Sequence, residues 1–161
     1  RLETEQALKH YQRYVDISCL AELSIKDLEA YKNDLDEIVY KRCKHVVYEC
    51  DRVLKAESAM KSGDVIKLGK ILNESHASLK DLYEVTGIEL DTLAGLAQSH
   101  PACIGSRMTG AGFGGCTVSL VKTNKINDFK EFVLTEYEKK IGYAAEAYDV
   151  SIEEGITVEV L

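Results

Sequence analysis

The chain has 161 residues, 45% of them hydrophobic, and a formal net charge of −7 at pH 7. That length and apolar content suffice for a well-buried core, and we expect residues 1–161 to form one domain. The acidic balance argues against a general affinity for nucleic acid or for anionic membranes, since both need clustered Lys and Arg. No apolar run approaches the ~18–20 residues that span a bilayer.

Five cysteines occur, and none belongs to a C-x-x-C pair. An odd number of thiols without a secretion signal is typical of free cysteines in a reducing compartment. We therefore expect the protein in the cytoplasm. The chain begins at Arg1 and not at a methionine, so we expect it to be a fragment of a longer protein.

Helical periodicity dominates the first two thirds of the chain. An amphipathic segment opens it between Leu2 and Val15, and Ser24 with Asp27 has the spacing of a capping box that starts a second helix. The strongest pattern covers residues 36–61, where apolar residues recur on one helical face and predict a long helix. These apolar residues are Val39, Cys43, Val46, Val47, Cys50, Val53, Leu54 and Met60.

A helical hairpin is expected after the long helix. Gly63 is placed to take the left-handed conformation that ends one helix, and Asp64 is placed to cap the next. The second arm extends to Tyr83, Thr86-Gly87 interrupts it, and a shorter helix follows before Pro101, the single proline.

Beyond Pro101 the pattern changes to that of strands. Alternating β-branched residues predict a strand from Cys116 to Val121. Apolar residues between 126 and 137 predict another amphipathic helix, and two short strands are expected at 148–152 and 156–161. Helices followed by strands around one more helix indicate the α+β fold class.

Four glycines lie within six residues, at Gly110, Gly112, Gly114 and Gly115, directly before the predicted strand. Three of them have the spacing G-x-G-x-x-G, which occurs in several nucleotide-binding proteins. A dinucleotide-binding fold needs a helix after the loop, and here a strand follows. A protein-kinase loop lies between strands, but the chain has no H-R-D or D-F-G motif. No Gly-Lys-Ser/Thr follows either, which excludes a Walker loop.

What remains is a glycine-rich connection between strands whose bare backbone is able to approach a phosphate and to offer N–H groups to it. The structural alternative is a hairpin or bulge that only lets the chain turn. Four glycines are more than a turn requires, and each costs conformational entropy on folding. We therefore favour a ligand-binding loop.

Four further polar residues are candidates for function. His76 lies on the apolar face of its helix, so a buried, hydrogen-bonded structural histidine is favoured over a substrate contact. His45 and Glu49 are one helical turn apart, but no third ligand is evident, and we interpret them as a surface pair and not as a metal site. Arg107 beside the predicted strand could bind a phosphate or pair with a carboxylate, and both alternatives stay open.

Two acidic residues and one aromatic residue complete the candidates. Glu89 and Asp91 resemble paired catalytic carboxylates in composition alone, because residues at i and i+2 of a helix point to different faces. They fit a helix start, where acidic side chains favour the dipole. Phe113 is expected to pack under the glycine run and fix its shape.

Longer segments of the chain resemble the galactokinases, members of the GHMP small-molecule kinase superfamily. RMTGAGFGGCTVSL, residues 107–120, is similar to their third signature. LSIKDLEAYKNDLDEIVYKRCKHVVYECDRV, residues 23–53, resembles the segment leading into their long helix, and GDVIKLGKILNESHASLKDLYEVTGIELDTL, residues 63–93, resembles the segment after it. The matched segments occur in the same order and cover nearly the whole chain.

The resemblance implies a C-terminal domain with a ferredoxin-like α+β core extended by N-terminal helices. It implies an origin in an enzyme that phosphorylates galactose at C1 with Mg-ATP. In that family the matching loop lies near the ATP phosphates, across the cleft between the two halves of the enzyme. The residues implied to contact ATP are Gly110, Ala111, Gly112, Phe113, Gly114 and Gly115.

Galactokinases carry the main ATP-phosphate loop, the catalytic aspartate and most sugar-binding residues in their N-terminal half, and none of these occurs here. We therefore assign no catalytic residue and no metal ligand in this chain. ATP, Mg²⁺ and galactose are expected to bind once the N-terminal half of the same enzyme is present, and the isolated chain is expected to be inactive and to self-associate. A galactokinase-like sensor of sugar and nucleotide without catalysis is the alternative. A free-standing ferredoxin-like ligand module is less favoured.

Overall fold

A computed structural model describes residues 1–151 of the chain. Two short 3₁₀ turns, Leu20–Glu22 and Thr123–Lys125, and a π-helical turn, Leu79–Tyr83, connect longer elements. The helices are α1 (Leu2–Tyr11), α2 (Ile25–Ala30), α3 (Glu37–Lys61), α4 (Val65–Ser78), α5 (Gly87–Ser99) and α6 (Ile126–Ile141), and the strands are β1 (Cys103–Thr109) and β2 (Cys116–Val121). Helices precede a small sheet that one more helix follows, so the α+β class is confirmed.

The predicted helix ends are confirmed by their capping hydrogen bonds. The Ser24 side chain accepts from the Asp27 backbone N–H, which starts α2. Asp64 accepts from the Lys67 N–H at 2.9 Å and starts α4, and Gly63 just before it has φ 70°. These signals act within one turn of backbone, which is why a local pattern locates them.

The predicted apolar face of α3 is buried mainly in the first half of the helix, although Ala59 in the second half is buried as well. Val39, Cys43 and Val47 pack in a core with α1, α2 and the first 3₁₀ turn. Val53, Leu54 and Met60 were predicted on the same buried face, and this is wrong, because 60% or more of each remains exposed. The core cluster around α1 and α2 takes its α3 residues from the first half of the helix. In the second half Ala59 is buried, whereas Val53, Leu54 and Met60 are exposed.

Helix α4 packs directly on strand β1. A Cβ built on Gly69 would lie 2.1 Å from the Ile104 carbonyl oxygen, and one on Gly105 would lie 2.3 Å from the Gly69 carbonyl oxygen. Both distances are far below a van der Waals contact, so side chains are excluded on both sides. The backbones of α4 and β1 therefore set each other's position, and β1 leads straight into the glycine run.

Strands β1 and β2 form an antiparallel pair in which Ser106 lies opposite Ser119, and the two hydroxyls hydrogen-bond at 2.8 Å. The predicted bounds of β2, Cys116–Val121, are confirmed, whereas the sequence provided no bounds for β1. Helices α5 and α6 cover this end of the molecule through an apolar cluster. Its buried members are Leu96, Ala97, Phe129, Val133 and Tyr137.

The structure differs from two predictions about the remaining chain. The second arm of the hairpin is α-helical to Ser78 and then continues as the π-helical turn. Residues 148–151 form no strand, because within the described residues β1 and β2 pair with each other alone. Ile152 and the strand predicted at 156–161 lie outside the described residues.

None of the helices within residues 1–151 is long and apolar enough to cross a membrane. All five cysteines carry free thiols, as predicted.

Candidate functional site

The glycine run forms the connection between β1 and β2. Gly110, Gly112 and Gly114 have φ of 81°, 86° and 97°, and Phe113 between them has φ 55°. The left-handed region is accessible to glycine at little cost, which explains the residue type at these turns. Apart from the half-buried Gly112, the residues of the run are exposed, so their backbone is open to a ligand. We call residues 110–115 the glycine loop.

The glycine loop is held in place by a hydrogen bond to Val85, in the segment that follows α4. The Phe113 N–H donates to the Val85 carbonyl oxygen at 2.9 Å. A Cβ on Gly112 would lie 2.0 Å from that same oxygen, so a side chain there would prevent the docking. A Cβ on Gly110 or Gly114 would meet no atom within 4 Å. Gly112 thus meets a packing requirement, whereas Gly110 and Gly114 border open space that a ligand can enter.

Phe113 does not pack under the glycine loop, and that expectation is wrong. Its side chain is 78% exposed. The loop is fixed by the backbone hydrogen bond of Phe113 to Val85, not by its ring.

His76 anchors the strand just before the glycine loop. The Met108 N–H donates to His76 Nδ1 at 3.2 Å, and both side chains are buried. Because the backbone amide is always a donor, Nδ1 is the acceptor and the ring proton lies on Nε2, which faces Asp91 Oδ1 at 3.5 Å. Burial lowers the pKa of His76 and outweighs the Asp91 carboxylate, which raises it. The predicted buried, hydrogen-bonded histidine is confirmed.

Two further side chains hydrogen-bond to the backbone of Ser106, on the edge of β1 that does not pair with β2. The Ser106 N–H donates to Asn73 Oδ1, and Gln98 Nε2 donates to the Ser106 carbonyl oxygen, both at 2.8 Å. Together with His76, these residues supply the hydrogen bonds that a further strand would otherwise make. A polar cleft of about 300 Å³ between α4 and α5 is lined by the same three side chains and by Lys80 and Asp91.

Arg107 pairs with a carboxylate in the structure, which is one of its two predicted alternatives, while phosphate binding stays a prediction. Its Nη1 lies 3.2 Å from Glu49 Oε1, and its Nε donates to the Met108 carbonyl oxygen at 2.9 Å. Glu49 also accepts from Ser75 Oγ at 2.5 Å and from Arg52 Nε at 2.7 Å. Because Glu49 contacts Ser75 and Arg107 in partly buried surroundings, the prediction that His45 and Glu49 form a surface pair is wrong.

Both residues of the supposed surface pair face α4 and the sheet. His45 is 6% exposed, hydrogen-bonds with Ser78 Oγ at 2.9 Å and stacks on Tyr83. Burial raises the pKa of the Glu49 carboxyl. Hydrogen bonds from Ser75 and Arg52, together with the charges of Arg52 and Arg107, lower it by a larger amount, so the pKa lies below its usual value. Helical spacing placed the pair on one face, and the packing of α4 against that face buries His45 and partly buries Glu49.

Glu89 and Asp91 point to different faces of α5, as predicted. Asp91 faces His76, and its Oδ2 lies 3.3 Å from Lys80 Nζ. Glu89 is in the first turn of α5 and accepts from the Tyr143 hydroxyl at 3.3 Å. No group of three or more His, Cys, Asp or Glu residues in residues 1–151 is arranged to hold a metal ion.

The groups that position the glycine loop have no clear signature in the sequence. The Val85 carbonyl is a backbone group and carries no signal of its own. Asn73 and Gln98 are helical residues whose role depends on β1, for which the sequence provided no bounds. The break at Thr86-Gly87 was a usable signal for Val85, because Val85 is the last residue before that break.

The fold and the glycine loop together define the class of protein. The family profile described as GHMP kinases C terminal matches residues 56–139, which are 84 of the 161 residues. The matched region extends from the end of α3 through the glycine loop and into α6. The chain belongs to the GHMP kinase family, as a C-terminal domain.

Similarity to particular proteins extends over most of the chain. It is 51% identical over 156 residues to a galactokinase of Clostridium beijerinckii and 47% identical over 156 residues to one of Enterococcus faecalis, which is 96% of this chain in both cases. A crystal structure of Lactococcus lactis galactokinase complexed with galactose superposes with a TM-score of 0.85, at 48% identity, over 89% of this chain and 37% of that one. The chain spans about 40% of the length of the curated relatives it matches.

Proposed function

We propose that the chain is the C-terminal part of a galactokinase and that residues 110–115 form one wall of its ATP site. The observation that carries the proposal is the exposed glycine loop with open space at Gly110 and Gly114, in a chain similar to galactokinases throughout. On this proposal residues 1–161 form one domain. The free thiols support the cytoplasm as its compartment.

The chemistry of the glycine loop limits its contribution to the reaction. Phosphoryl transfer depends mainly on positioning and on stabilising the charge of the transferred group. Backbone N–H groups in a fixed loop can provide both, since they need no reorganisation during the reaction. The loop sequence GAGFGG has no ionisable side chain, so it cannot move a proton. The residue that activates the sugar hydroxyl therefore lies outside the loop, and the resemblance to galactokinases assigns it to the N-terminal half.

Mg²⁺ belongs to the proposal for the full-length enzyme. When bound, the ion would supply positive charge that offsets the charge developing on the phosphates. Residues 1–151 provide no cluster of carboxylates arranged for it, so we assign no ligand here. Galactose recognition is likewise assigned to the N-terminal half.

The isolated chain and the N-terminal half added in trans allow a direct test. Amide NMR shifts are recorded during titration with Mg-ATP, and galactose phosphorylation is assayed in the same samples. We expect the amides of residues 110–115 to shift, and activity to appear, when the halves are combined. Micromolar nucleotide binding by the chain alone would instead indicate an autonomous nucleotide site, and combined halves that bind nucleotide and sugar without turnover would indicate the sensor alternative.

A further inference from the structure

Arg42 on α3 is a largely buried arginine that the candidate site does not use. Its side chain is 11% exposed. Nη1 donates to the Leu82 carbonyl oxygen and Nη2 to Glu84 Oε2, both at 2.5 Å, while Nε lies 3.4 Å from Glu3 Oε2. The guanidinium thus joins α3 to the segment after α4 through a backbone and a side-chain contact.

That segment has an unusual backbone. It is a π-helical turn that ends at Glu84, a non-glycine residue with φ 57°. The Leu79 carbonyl oxygen closes the turn by accepting from the N–H groups of Glu84 and Val85. π-helical turns and left-handed non-glycine residues are both uncommon and are found often at functional sites. Arg42 contacts the turn at its last residues, where the conformation is least favourable.

The turn leads directly to the anchor of the glycine loop. Val85 follows Glu84, and its carbonyl oxygen accepts from the Phe113 N–H and is the atom against which Gly112 packs. A shift of the turn would therefore move the loop. Small displacements of positioning groups lower the rate of phosphoryl transfer because reacting groups need close alignment.

We propose that Arg42 is a positioning residue for the glycine loop, holding Leu82 and Glu84 so that Val85 receives the loop in its ATP-binding position. The inference rests on the proposed function. Arginine suits this role because its planar guanidinium donates in two directions at once. A lysine can supply the charge but not both directed contacts.

The test uses the full-length enzyme with Arg42→Gln and Arg42→Lys. Lys41→Gln is the matched control, since Lys41 is the preceding residue of α3 and its amine pairs with Glu37 on the surface. We expect Arg42→Gln to lower kcat/KM for ATP about ten- to hundredfold, with an unchanged KM for galactose. Arg42→Lys should retain part of the activity, and Lys41→Gln all of it.

A second readout separates positioning from general destabilisation. Hydrogen exchange at the Phe113 amide should accelerate in Arg42→Gln and not in Lys41→Gln, because that amide is bonded to Val85. If the Arg42 variants do not fold, Glu84→Gln removes the ion pair while the Arg42–Leu82 contact stays, and the same changes are expected at smaller size.

Several outcomes would overturn the inference. One is an unchanged kcat/KM for ATP in folded Arg42→Gln, or in Glu84→Gln if the Arg42 variants do not fold. Another is an equal increase in the KM for ATP and the KM for galactose. Failure of the proposed function is distinguishable, because the unsubstituted full-length protein would then show no ATP-dependent galactose phosphorylation.

Discussion

Gly112 packs against Val85 so closely that a Cβ on Gly112 would lie 2.0 Å from the Val85 carbonyl oxygen. Gly110, two residues earlier in the same loop, has nearly the same φ but open space where its Cβ would be. Comparing the two glycines therefore separates the cost of a side chain at a left-handed φ from the cost of its clash with Val85.

Gly112→Ala should be more damaging than Gly110→Ala. Both place alanine in the left-handed region, at a cost of about 1–2 kcal/mol. Gly112→Ala adds a clash with backbone, which we expect to cost about 1–3 kcal/mol more and to raise KM for ATP. Urea unfolding and ATP kinetics of the full-length variants measure both effects. Equal losses in the two variants would show that Val85 imposes no packing constraint.

Two buried histidines should make stability depend on pH. Burial lowers the pKa of His45 and His76 from 6.5 in the folded protein, outweighing the carboxylates of Glu49 and Asp91, which raise it. Below pH 6.5 the unfolded chain binds more protons than the folded chain, so stability falls as the pH decreases toward the folded pKa. Above that range both states are neutral and the contribution is constant.

His76→Asn should reduce this pH dependence. The Asn side-chain oxygen can accept from the Met108 N–H in place of Nδ1, and it does not titrate. Urea unfolding midpoints compared between about pH 7.5 and about pH 5 should fall less steeply in the variant than in the unsubstituted protein. Parallel pH profiles would rule out a folded-state shift at His76.

The ion pair between Arg107 and Glu49 should stabilise the protein, because it joins β1 to α3 in partly buried surroundings. We expect Arg107→Met to lower the free energy of unfolding by about 1–3 kcal/mol. The control is Lys61→Met, whose exposed partner is Glu57 and whose effect should stay within about 0.5 kcal/mol. A double-mutant cycle with Glu49→Gln measures the coupling, and an interaction energy near zero would contradict the assignment.

Five exposed apolar side chains lie in the second half of α3 and the first turn of α4. They are Val53, Leu54, Met60, Val65 and Ile66. We expect the isolated chain to self-associate through these side chains, and Leu54→Ser with Ile66→Ser to weaken the association. Ile88→Ser is the control, since Ile88 is 69% exposed and belongs to another helix, at the start of α5. Sedimentation velocity over a wide concentration range tests this, and a sharp monomer of the unsubstituted chain would refute it.

Several local elements of this protein are encoded by short stretches of its sequence. The caps at Ser24 and Asp64, the left-handed Gly63 and the bounds of β2 follow from residues within a few positions of each other. Such interactions depend on one turn of helix or one short strand, so they are present in the pattern before the chain folds. The position of the glycine run in the chain was determined in the same way.

Tertiary structure alone decided what each element contacts. Within the same helical pattern of α3, His45 is buried, Glu49 is half-buried and Val53 is exposed, because burial depends on which distant element packs over each turn. The docking of Gly112 on Val85 joins residues far apart in the chain through a backbone atom that has no sequence signature. Periodicity records which residues share a face, whereas the partner of that face is chosen only when the whole chain packs.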